Sequence, residues 1–243
     1  MLKYKRVSLK LSGEAMGYDE NTEKQKIGAV DFDKVEKIAE QIASLHRLGA
    51  QVGVTLGGGN IWRGRSSGSM ERSRADHMGM LATIINALAV QDILLQMQIP
   101  CVVLSTVAVP LVAESYSSRA AQSALDEGKV VIFAGGSGCP YFSTDTAAAL
   151  KACEIGADVL LLAKNIDYVY SADPRKDANA KPYKHLKYER VIMEHLQATD
   201  LTAITLCSEN KIPIIAFAMA DAENILKAVR GEAVGTRIDD QED

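Results

Sequence analysis

Three glycine-rich turns in the chain carry residue types that bind phosphate. They occupy residues 10–13 (KLSG), 57–60 (GGGN) and 135–140 (GGSGCP), each at the end of a short, largely apolar run. Glycine lets backbone N–H groups surround an anion, and the N-terminus of a following helix adds partial positive charge. One such turn alone is most simply a change of chain direction. Three turns with Lys10 and Arg63 among them predict a site for a phosphorylated ligand.

Common catalytic and phosphate-binding motifs are absent. The P-loop pattern fails because Gly128-Lys129 is followed by Val130, and the dinucleotide-binding pattern fails because Trp62 replaces its last glycine. Residues 64–68 (GRSSG) match the nucleophile-elbow pattern, but no apolar strand precedes them, so we interpret the match as chance. The four cysteines and four histidines have no metal-ligand spacing, which predicts no metal site built by the protein and no disulfide framework.

Composition and charge narrow the possible partners. The 243 residues include 27 Lys+Arg and 31 Asp+Glu, for a net charge of −4, with 47% hydrophobic and 24% charged residues. This is an ordinary globular composition, which excludes disordered, collagenous and coiled-coil proteins. A mildly acidic chain has no overall field that attracts nucleic acid or anionic lipid, so we expect neither partner. Any phosphate is then held by local groups.

The sequence also bears on localisation. The apolar run at residues 212–220 is less than half of the roughly 20 residues that a membrane helix needs. Lys3, Lys5, Arg6 and Lys10 interrupt the first apolar stretch, which leaves no signal-peptide core. We therefore expect a cytoplasmic protein.

Short β-branched runs alternate with helical periodicity along the whole chain, which predicts an α/β fold with a mostly parallel sheet. The predicted strands are residues 6–11, 51–56, 101–104, 130–134, 159–162 and 214–218. The carboxyl ends of parallel strands share one edge of the sheet, and ligands bind at that edge. The three glycine turns are therefore expected to converge there.

Two helices and two loops complete the predicted organisation. Residues 33–48 place apolar side chains on one face, with Gly49 as a left-handed C-terminal cap. Residues 76–98 are apolar on nearly all faces, which predicts cover from the sheet on one side and from another subunit on the other. Polar residues 18–26 and 172–187 are expected to be loops. No linker divides the chain, so a single domain is predicted.

At the level of whole motifs the chain resembles the amino acid kinase family, and within it the bacterial uridylate kinases. The motifs that carry the resemblance are KLSGE at 10–14, GGGN at 57–60 with Arg63, DHMGMLAT at 76–83, FSTD at 142–145, ADP at 172–174 and Asp200. The first two are shared across the family, and the third is specific to the uridylate kinase branch. The match extends from Lys10 to Thr236. It implies a three-layer αβα sandwich and ATP-dependent phosphorylation of UMP to UDP in pyrimidine nucleotide biosynthesis.

The resemblance also implies site residues. The implied catalytic set is Lys10, Arg63, Asp145 and Asp200, with Asp200 orienting Lys10. The implied ATP site is Lys10, Leu11, Ser12, Gly13, Gly58, Arg63, Asn165, Tyr170 and Asp173. The implied UMP site is Gly57, Asp76, Ser137, Gly138, Cys139, Pro140, Tyr141, Phe142, Ser143 and Thr144. Within it, Asp76 would reach the ribose. Residues 1–143 would form the acceptor side and residues 144–243 the ATP side.

Two departures from the family pattern lie beside the implied ATP site. Tyr168 replaces a glycine that is common before Val-Tyr, and the turn at 164–166 is one residue short of some relatives. The choice between Lys164 and Asn165 as an ATP contact therefore stays open.

The implied partners are ATP with Mg²⁺, UMP, UTP as an inhibitor and GTP as a possible activator, in a homohexamer. The chemistry is consistent with these partners, because a phosphate monoester is already ionised and nucleophilic at neutral pH, so no general base is required. Phosphoryl transfer instead needs alignment and neutralisation of negative charge. Carboxylates at such a site are interpreted as holders of Mg²⁺ or of the lysine.

Simpler interpretations remain beside these. Asp76 and Asp145 are also typical of helix N-caps, and Asp173 before Pro174 is a common turn pair. Two other functions are possible for the chain as a whole: a related kinase that phosphorylates a carboxylate or carbamate, and a non-catalytic protein that binds a nucleotide or oxoanion.

Overall fold

The computed structural model describes residues 1–19, 22, 26, 28–63, 69–177, 179–196, 198–219 and 223–241. Residues 64–68, which match the nucleophile-elbow pattern, lie outside the described residues, as does most of the predicted loop at 18–26.

The described part of the chain forms a nine-stranded sheet and a separate two-stranded sheet. The strands are β1 Arg6–Leu11, β2 Gln51–Leu56, β3 Cys101–Ser105, β4 Glu114–Ser115, β5 Val130–Ala134, β6 Val159–Lys164, β7 Val169–Tyr170, β8 Pro182–Tyr183, β9 His185–Leu186, β10 Ile214–Ala218 and β11 Thr236–Ile238. The order in the large sheet is β4-β3-β5-β2-β1-β6-β10-β11-β9. Its strands are parallel except where β11 pairs antiparallel with β10.

Helices cover both faces of this sheet. They are α1 Phe32–Arg47, α2 Arg72–Gln96, α3 Ser118–Asp126, α4 Thr144–Ile155, α5 Tyr188–Met193, α6 Leu201–Glu209 and α7 Glu223–Arg230, with a 3₁₀ turn at Gly13–Met16. One apolar core lies between the sheet and α1, α2 and α7, and the other lies between the sheet and α3 to α6. The predicted three-layer αβα architecture is confirmed.

Alternation along β1 determines which side chains reach each layer. Val7, Leu9 and Leu11 enter the core beneath α1 and α2. Ser8 and Lys10 therefore project from the opposite face, towards α4, where the Ser8 hydroxyl donates to the carbonyl of Ala148 at 3.3 Å. This alternation directs Lys10, the charged side chain near the end of β1, towards the N-terminus of α4.

The predicted elements agree with the structure except at their ends and in the shortest strands. The six predicted strands are confirmed, with β3 one residue longer and β6 two residues longer than expected. Helix α1 begins one residue early, and Gly49 is left-handed at φ +88 as predicted. Helix α2 begins at Arg72, four residues earlier than expected, because Glu71 caps it. Residues 172–187, expected to be a loop, contain β8 and β9.

Helix α2 lies on the sheet with one side uncovered. It is the one helix in the described residues that is long and apolar enough to span a membrane, and half of its most apolar window is buried, as in the core helix of a globular protein. Four large apolar side chains on its outer side are at least about one-third exposed: Met78, Leu81, Ile85 and Leu95. The inner side of α2 is therefore buried against the sheet, as expected, and its outer side is exposed to solvent in the single chain.

The contact between α2 and the turn that follows β2 depends on the absence of a side chain at Gly58. A Cβ there would lie 2.8 Å from the carbonyl oxygen of Gly79 and 2.9 Å from the Cβ of Ala82. Gly79 itself has room for a methyl group, since its added Cβ would lie 4.0 Å from Trp62.

We expect Gly58→Ala to destabilise the protein by about 1–3 kcal/mol, because α2 must move away from the turn. Gly79→Ala is the matched control and should stabilise the protein by roughly 0.5–1 kcal/mol, since it removes a glycine from a helix interior. Urea unfolding of the two variants measures both changes. Equal effects of the two substitutions would contradict the close contact.

Candidate active site

The first two glycine turns contact each other through their backbones. A Cβ at Gly13 would lie 2.5 Å from the backbone nitrogen of Gly59, and one at Gly57 would lie 2.7 Å from the nitrogen of Gly13. The buried Asn86 of α2 fixes this contact by donating to the carbonyl of Gly57 at 2.7 Å. Only glycine allows this approach, so the turns after β1 and β2 form one surface.

The third turn joins this surface through α2. The backbone N–H of Gly135 donates to the hydroxyl of Thr83 at 2.8 Å. Gly135, Gly136 and Gly138 have φ values of +79, +62 and +78, which glycine adopts at little cost. The convergence expected from the parallel sheet is therefore present.

Asp145 lies at the centre of the site, between two lysines. Its Oδ1 lies 2.7 Å from Nζ of Lys10 at the end of β1, and its Oδ2 lies 2.8 Å from Nζ of Lys164 at the end of β6. The hydroxyl of Thr199 donates to Oδ2 at 2.7 Å. All three charged side chains are mostly buried, with exposures of 13%, 14% and 21% for Lys10, Asp145 and Lys164.

The electrostatics keep this carboxylate ionised. Burial alone would raise the pKa of Asp145, but the ammonium groups of Lys10 and Lys164 outweigh burial and hold the pKa well below the usual range of an aspartate. The two ammonium groups and the one carboxylate leave a net positive charge on these three side chains. Such a centre can attract and neutralise phosphate oxygens.

Asp200 lies next to this centre, but its role differs from the expected one. It precedes α6 without capping it, and it accepts hydrogen bonds from the hydroxyls of Ser143 and, at 3.0 Å, Thr146. The resemblance implies that Asp200 orients Lys10; the structure corrects this, because the ion pair of Lys10 is with Asp145. Ser143 caps α4, so Asp200 fixes the turn that carries Asp145.

Arg63 lies at the edge of the first two turns and is held by an acidic residue. Its guanidinium pairs with Glu14, whose other oxygen accepts from the Ser12 hydroxyl at 3.0 Å. The Arg63 side chain is 58% exposed, so it is accessible to a ligand at the turn. The implied phosphate-binding residues thus lie together on one surface.

A cavity of ≈ 220 Å³ opens between these turns and α2. Its lining includes the predicted residues Gly58, Asp76, Ser137, Cys139, Phe142, Ser143 and Thr144. Sequence reasoning missed the other lining residues, which are Gly59, Trp62, Arg72, Gly79, Met80, Thr83 and Gly136. Gly59 and Gly136 are next to predicted residues, and Trp62 lies in the turn after β2. Arg72, Gly79, Met80 and Thr83 lie on α2, where helical side chains give no signal of a ligand.

Asp76 faces this cavity and does not cap a helix. Its Oδ2 accepts from Nε of Arg72 and from the backbone N–H of Tyr141, both at 2.8 Å. The N-cap interpretation is wrong, because α2 begins at Arg72 and is capped by Glu71. Asp76 instead links α2 to the third turn, and Tyr141 sits there with a φ of +73.

Four predicted UMP contacts do not line the cavity. Gly57 is packed against Gly13, one residue away from the glycines that do line it. Gly138, Pro140 and Tyr141 belong to the third turn but are not among the lining residues. The role of these four residues as UMP contacts therefore stays a prediction.

A second cavity, of ≈ 210 Å³, contains the predicted Tyr170 and Asp173 together with Ile166 and Pro174. The structure separates Asn165 from this pair, because Asn165 lines a different cavity beside α1 and α7. Lys164 instead pairs with Asp145 and lines a fourth cavity, together with Asp145 and Asp200. A charged residue that ends an apolar strand, as Lys164 ends β6, is a signal that favours Lys164 over Asn165.

The side chains described at this site could hold a metal ion only together with a bound ligand that brings the ion. No group of three His, Cys, Asp or Glu side chains in the described residues could hold a metal ion. Both oxygens of Asp145 are engaged by lysines, whereas Asp200 is engaged by hydroxyls. Mg²⁺ binds through one or two carboxylates together with substrate phosphates, and Asp200 can supply such a carboxylate.

Similarity to known proteins extends over nearly the whole chain. The amino acid kinase family model matches residues 5–217. UMP kinase from Bacillus anthracis is 34% identical with a TM-score of 0.92, covering 98% of this chain and 97% of that one. UMP kinase from Ureaplasma parvum is 32% identical with a TM-score of 0.89, covering 98% and 100%. Uridylate kinase from Archaeoglobus fulgidus is 29% identical with a TM-score of 0.70, covering 96% and 99%.

Asp145→Asn tests the electrostatics of the centre. Loss of the anion leaves two ammonium groups unopposed, which should destabilise the protein by about 3 kcal/mol at neutral pH. The pKa of Asp145 is lower in the folded state than in the unfolded state. Its ionised carboxylate therefore stabilises the folded state at pH values above the unfolded pKa, and this stabilisation is lost as the pH falls. The difference from wild type should therefore be constant from about pH 8 to pH 5 and narrow below about pH 4.

Urea unfolding across this pH range provides the measurement. Asp126→Asn is the matched control, because Asp126 pairs with Arg6 on the surface with 62% exposure. That substitution should cost only about 0.5 kcal/mol. A difference for Asp145→Asn that widens in acid would disprove the assigned electrostatics.

Proposed function

The chain belongs to the amino acid kinase family, and from this premise we propose that it transfers the γ-phosphoryl group of ATP directly to UMP, giving UDP. The observation that carries the proposal is the position of the first turn of α4. Ser143 and Thr144 line the cavity that contains Asp76, while Asp145, the next residue, forms the cation centre with Lys10 and Lys164. An acceptor and a donor cavity thus meet at a positively charged point. The relatives with solved structures are UMP kinases, which supports the acceptor.

The acceptor phosphate needs no general base in this reaction. Its oxygen is ionised near neutral pH and can attack the γ-phosphorus as the bond to the β-phosphate oxygen breaks. Lys10, Lys164 and Arg63 supply positive charge where negative charge accumulates, and the glycine turns supply backbone donors. Catalysis then consists of alignment and charge neutralisation.

Residues 1–143 supply most of the acceptor side and residues 144–243 most of the ATP side in this proposal. The ribose of UMP lies at Asp76, and the adenosine of ATP lies at Tyr170 and Asp173. Asp200 would hold a Mg²⁺ ion bound with ATP, and such an ion would supply positive charge to neutralise the phosphate oxygens.

The other candidate functions fit the site less well. A carboxylate or carbamate acceptor has no use for the carboxylate of Asp76 in the acceptor cavity, because such an acceptor has no ribose hydroxyls to donate to it. A non-catalytic binding protein does not need a mostly buried pair of lysines held by one aspartate at the junction of two cavities. The uridine of UTP matches that of UMP, so we propose competition by UTP at the acceptor cavity and activation by GTP at a separate site.

The acceptor panel tests the proposal directly. The protein is incubated with Mg·ATP and UMP, CMP, dUMP, a glutamate derivative or carbamate, and ADP release is measured. We expect UMP to give the highest kcat/KM. The highest rate with a carboxylate or carbamate, or no acceptor-dependent ADP release, would reject the proposed function.

Asp76→Asn tests recognition of the ribose. A carboxylate accepts hydrogen bonds from two adjacent hydroxyls, and loss of one costs about 1–3 kcal/mol, so UMP should be preferred over dUMP by roughly tenfold or more. The substitution should reduce this preference along with UMP affinity, as measured by kcat/KM for both nucleotides. Asp92→Asn, on the exposed side of the same helix, is the control. If Asp76 serves only to hold Arg72 and Tyr141, both nucleotides will be affected equally.

We propose that the exposed side of α2 packs against a second copy of the chain, as one contact of a homohexamer. Ile85 is 51% exposed, so Ile85→Asp should leave the single chain folded but reduce the mass measured by light scattering. Phe32→Asp, which changes a 52% exposed side chain on α1, should leave the mass unchanged. A wild-type protein that is monomeric at micromolar concentration would refute this interface.

A further inference from the structure

Helices α1, α3, α4 and α7 end at a glycine in the left-handed conformation: Gly49, Gly128, Gly156 and Gly231. In the described residues, three other helix ends place a different residue there: Gln98 after α2 at φ 59, His195 after α5 at φ 49 and Lys211 after α6 at φ 55. Glycine is favoured at such positions because it has no Cβ. Each of these three side chains is therefore retained at a conformational cost.

The three helix ends have the same backbone geometry. The N–H of His195 donates to the carbonyl of Ile192 at 3.3 Å, and the N–H of Leu196 donates to Val191 at 3.1 Å. The N–H of Lys211 donates to Ser208 at 3.2 Å in the same pattern. The backbone motif alone therefore does not explain what distinguishes His195.

Position in the fold distinguishes His195 from the other two residues. Gln98 and Lys211 stand just before β3 and β10, at the amino edge of the sheet, away from the site. His195 lines both the cavity of Tyr170 and Asp173 and the cavity of Lys164 and Asp200. It therefore lies on the wall that the two cavities share.

The charged groups around His195 are already engaged with other residues. Glu194 pairs with Arg190 at 2.8 Å, and Asp173 pairs with Arg175 at 3.1 Å. Among the residues that the structure describes, the His195 imidazole has no hydrogen-bond or ion-pair partner. Its polar ring atoms are thus available to a ligand that extends from one cavity to the other.

We propose that His195 contacts the sugar–phosphate junction of the bound nucleoside triphosphate and contributes to its affinity. This inference rests on the proposed function, since it takes ATP as the ligand of both cavities. The adenosine end lies at Tyr170 and the phosphate end at Lys164, so the ribose and the α-phosphate pass His195. An imidazole N–H donates to a ribose hydroxyl or to a phosphate oxygen.

His195→Gly and Lys211→Gly form a matched pair that tests the inference. Both substitutions remove a side chain from a left-handed helix end, so both should raise the thermal unfolding temperature. Only His195→Gly should weaken binding of Mg·ATP, with Kd and the KM for ATP rising about five- to tenfold, the loss expected for one hydrogen bond. The KM for UMP and kcat at saturating ATP should stay within about twofold of wild type. The reason is that the lost contact stabilises bound ATP equally in the ground state and in the transition state.

Calorimetric titration of Mg·ATP in the absence of UMP separates this inference from the proposed function. Wild-type protein that binds Mg·ATP without phosphorylating UMP would reject the proposed function, and the ratio of Kd values would still test His195. Unchanged ATP affinity in His195→Gly would overturn the inference, as would an equal loss in Lys211→Gly. Wild-type protein that binds no Mg·ATP would overturn both proposals.

Discussion

The ion bridge of Lys10, Asp145 and Lys164 is the interaction on which the organisation of the site depends. It joins the ends of β1 and β6 to the first turn of α4 through distances of 2.7 and 2.8 Å. Breaking a buried ion pair by removing one partner is strongly destabilising. The bridge therefore holds Lys10 and Lys164 in place at the ends of their two strands. Arg63 pairs with Glu14 at the surface, so that pair contributes far less to stability than the bridge does.

The surface beside this bridge is formed by the first two glycine turns, which contact each other, and by the third turn, which joins them through α2. Gly13 lies against Gly57 and Gly59, and Gly58 lies against Gly79, at separations that exclude any Cβ. The turns could not form one surface if the strands that carry them were not adjacent in the sheet. The order β5-β2-β1-β6 places all four strand ends side by side, so topology and glycine content together create the site.

The sequence was sufficient to predict the sheet, its parallel character and the convergence of the turns, because apolar runs and glycines report local structure directly. It was insufficient for the short strands β7 to β9, whose two-residue lengths leave no periodicity to detect. The sequence assigned Gly57 to the acceptor cavity, whereas the structure places Gly59 there. The sequence also assigned Asp200 to Lys10, whereas the structure pairs Lys10 with Asp145. The two differences have a common cause. Motif spacing identifies the turn, but strand alternation and helix packing determine which residue of it faces inward. Lys164 contacts Asp145 only through the tertiary fold, since the two residues lie on different elements.

A double-mutant cycle on kcat tests most directly the claim that Asp145 acts through the lysine that it holds. Lys10→Met, Asp145→Asn and the double variant are compared with wild type under saturating Mg·ATP and UMP, with Lys5→Met as an exposed control on the same chain segment. If Asp145 works by positioning Lys10, the double variant should be about as slow as Lys10→Met alone, so the two effects are far from additive. Effects that multiply, with each substitution reducing kcat independently of the other, would contradict the account.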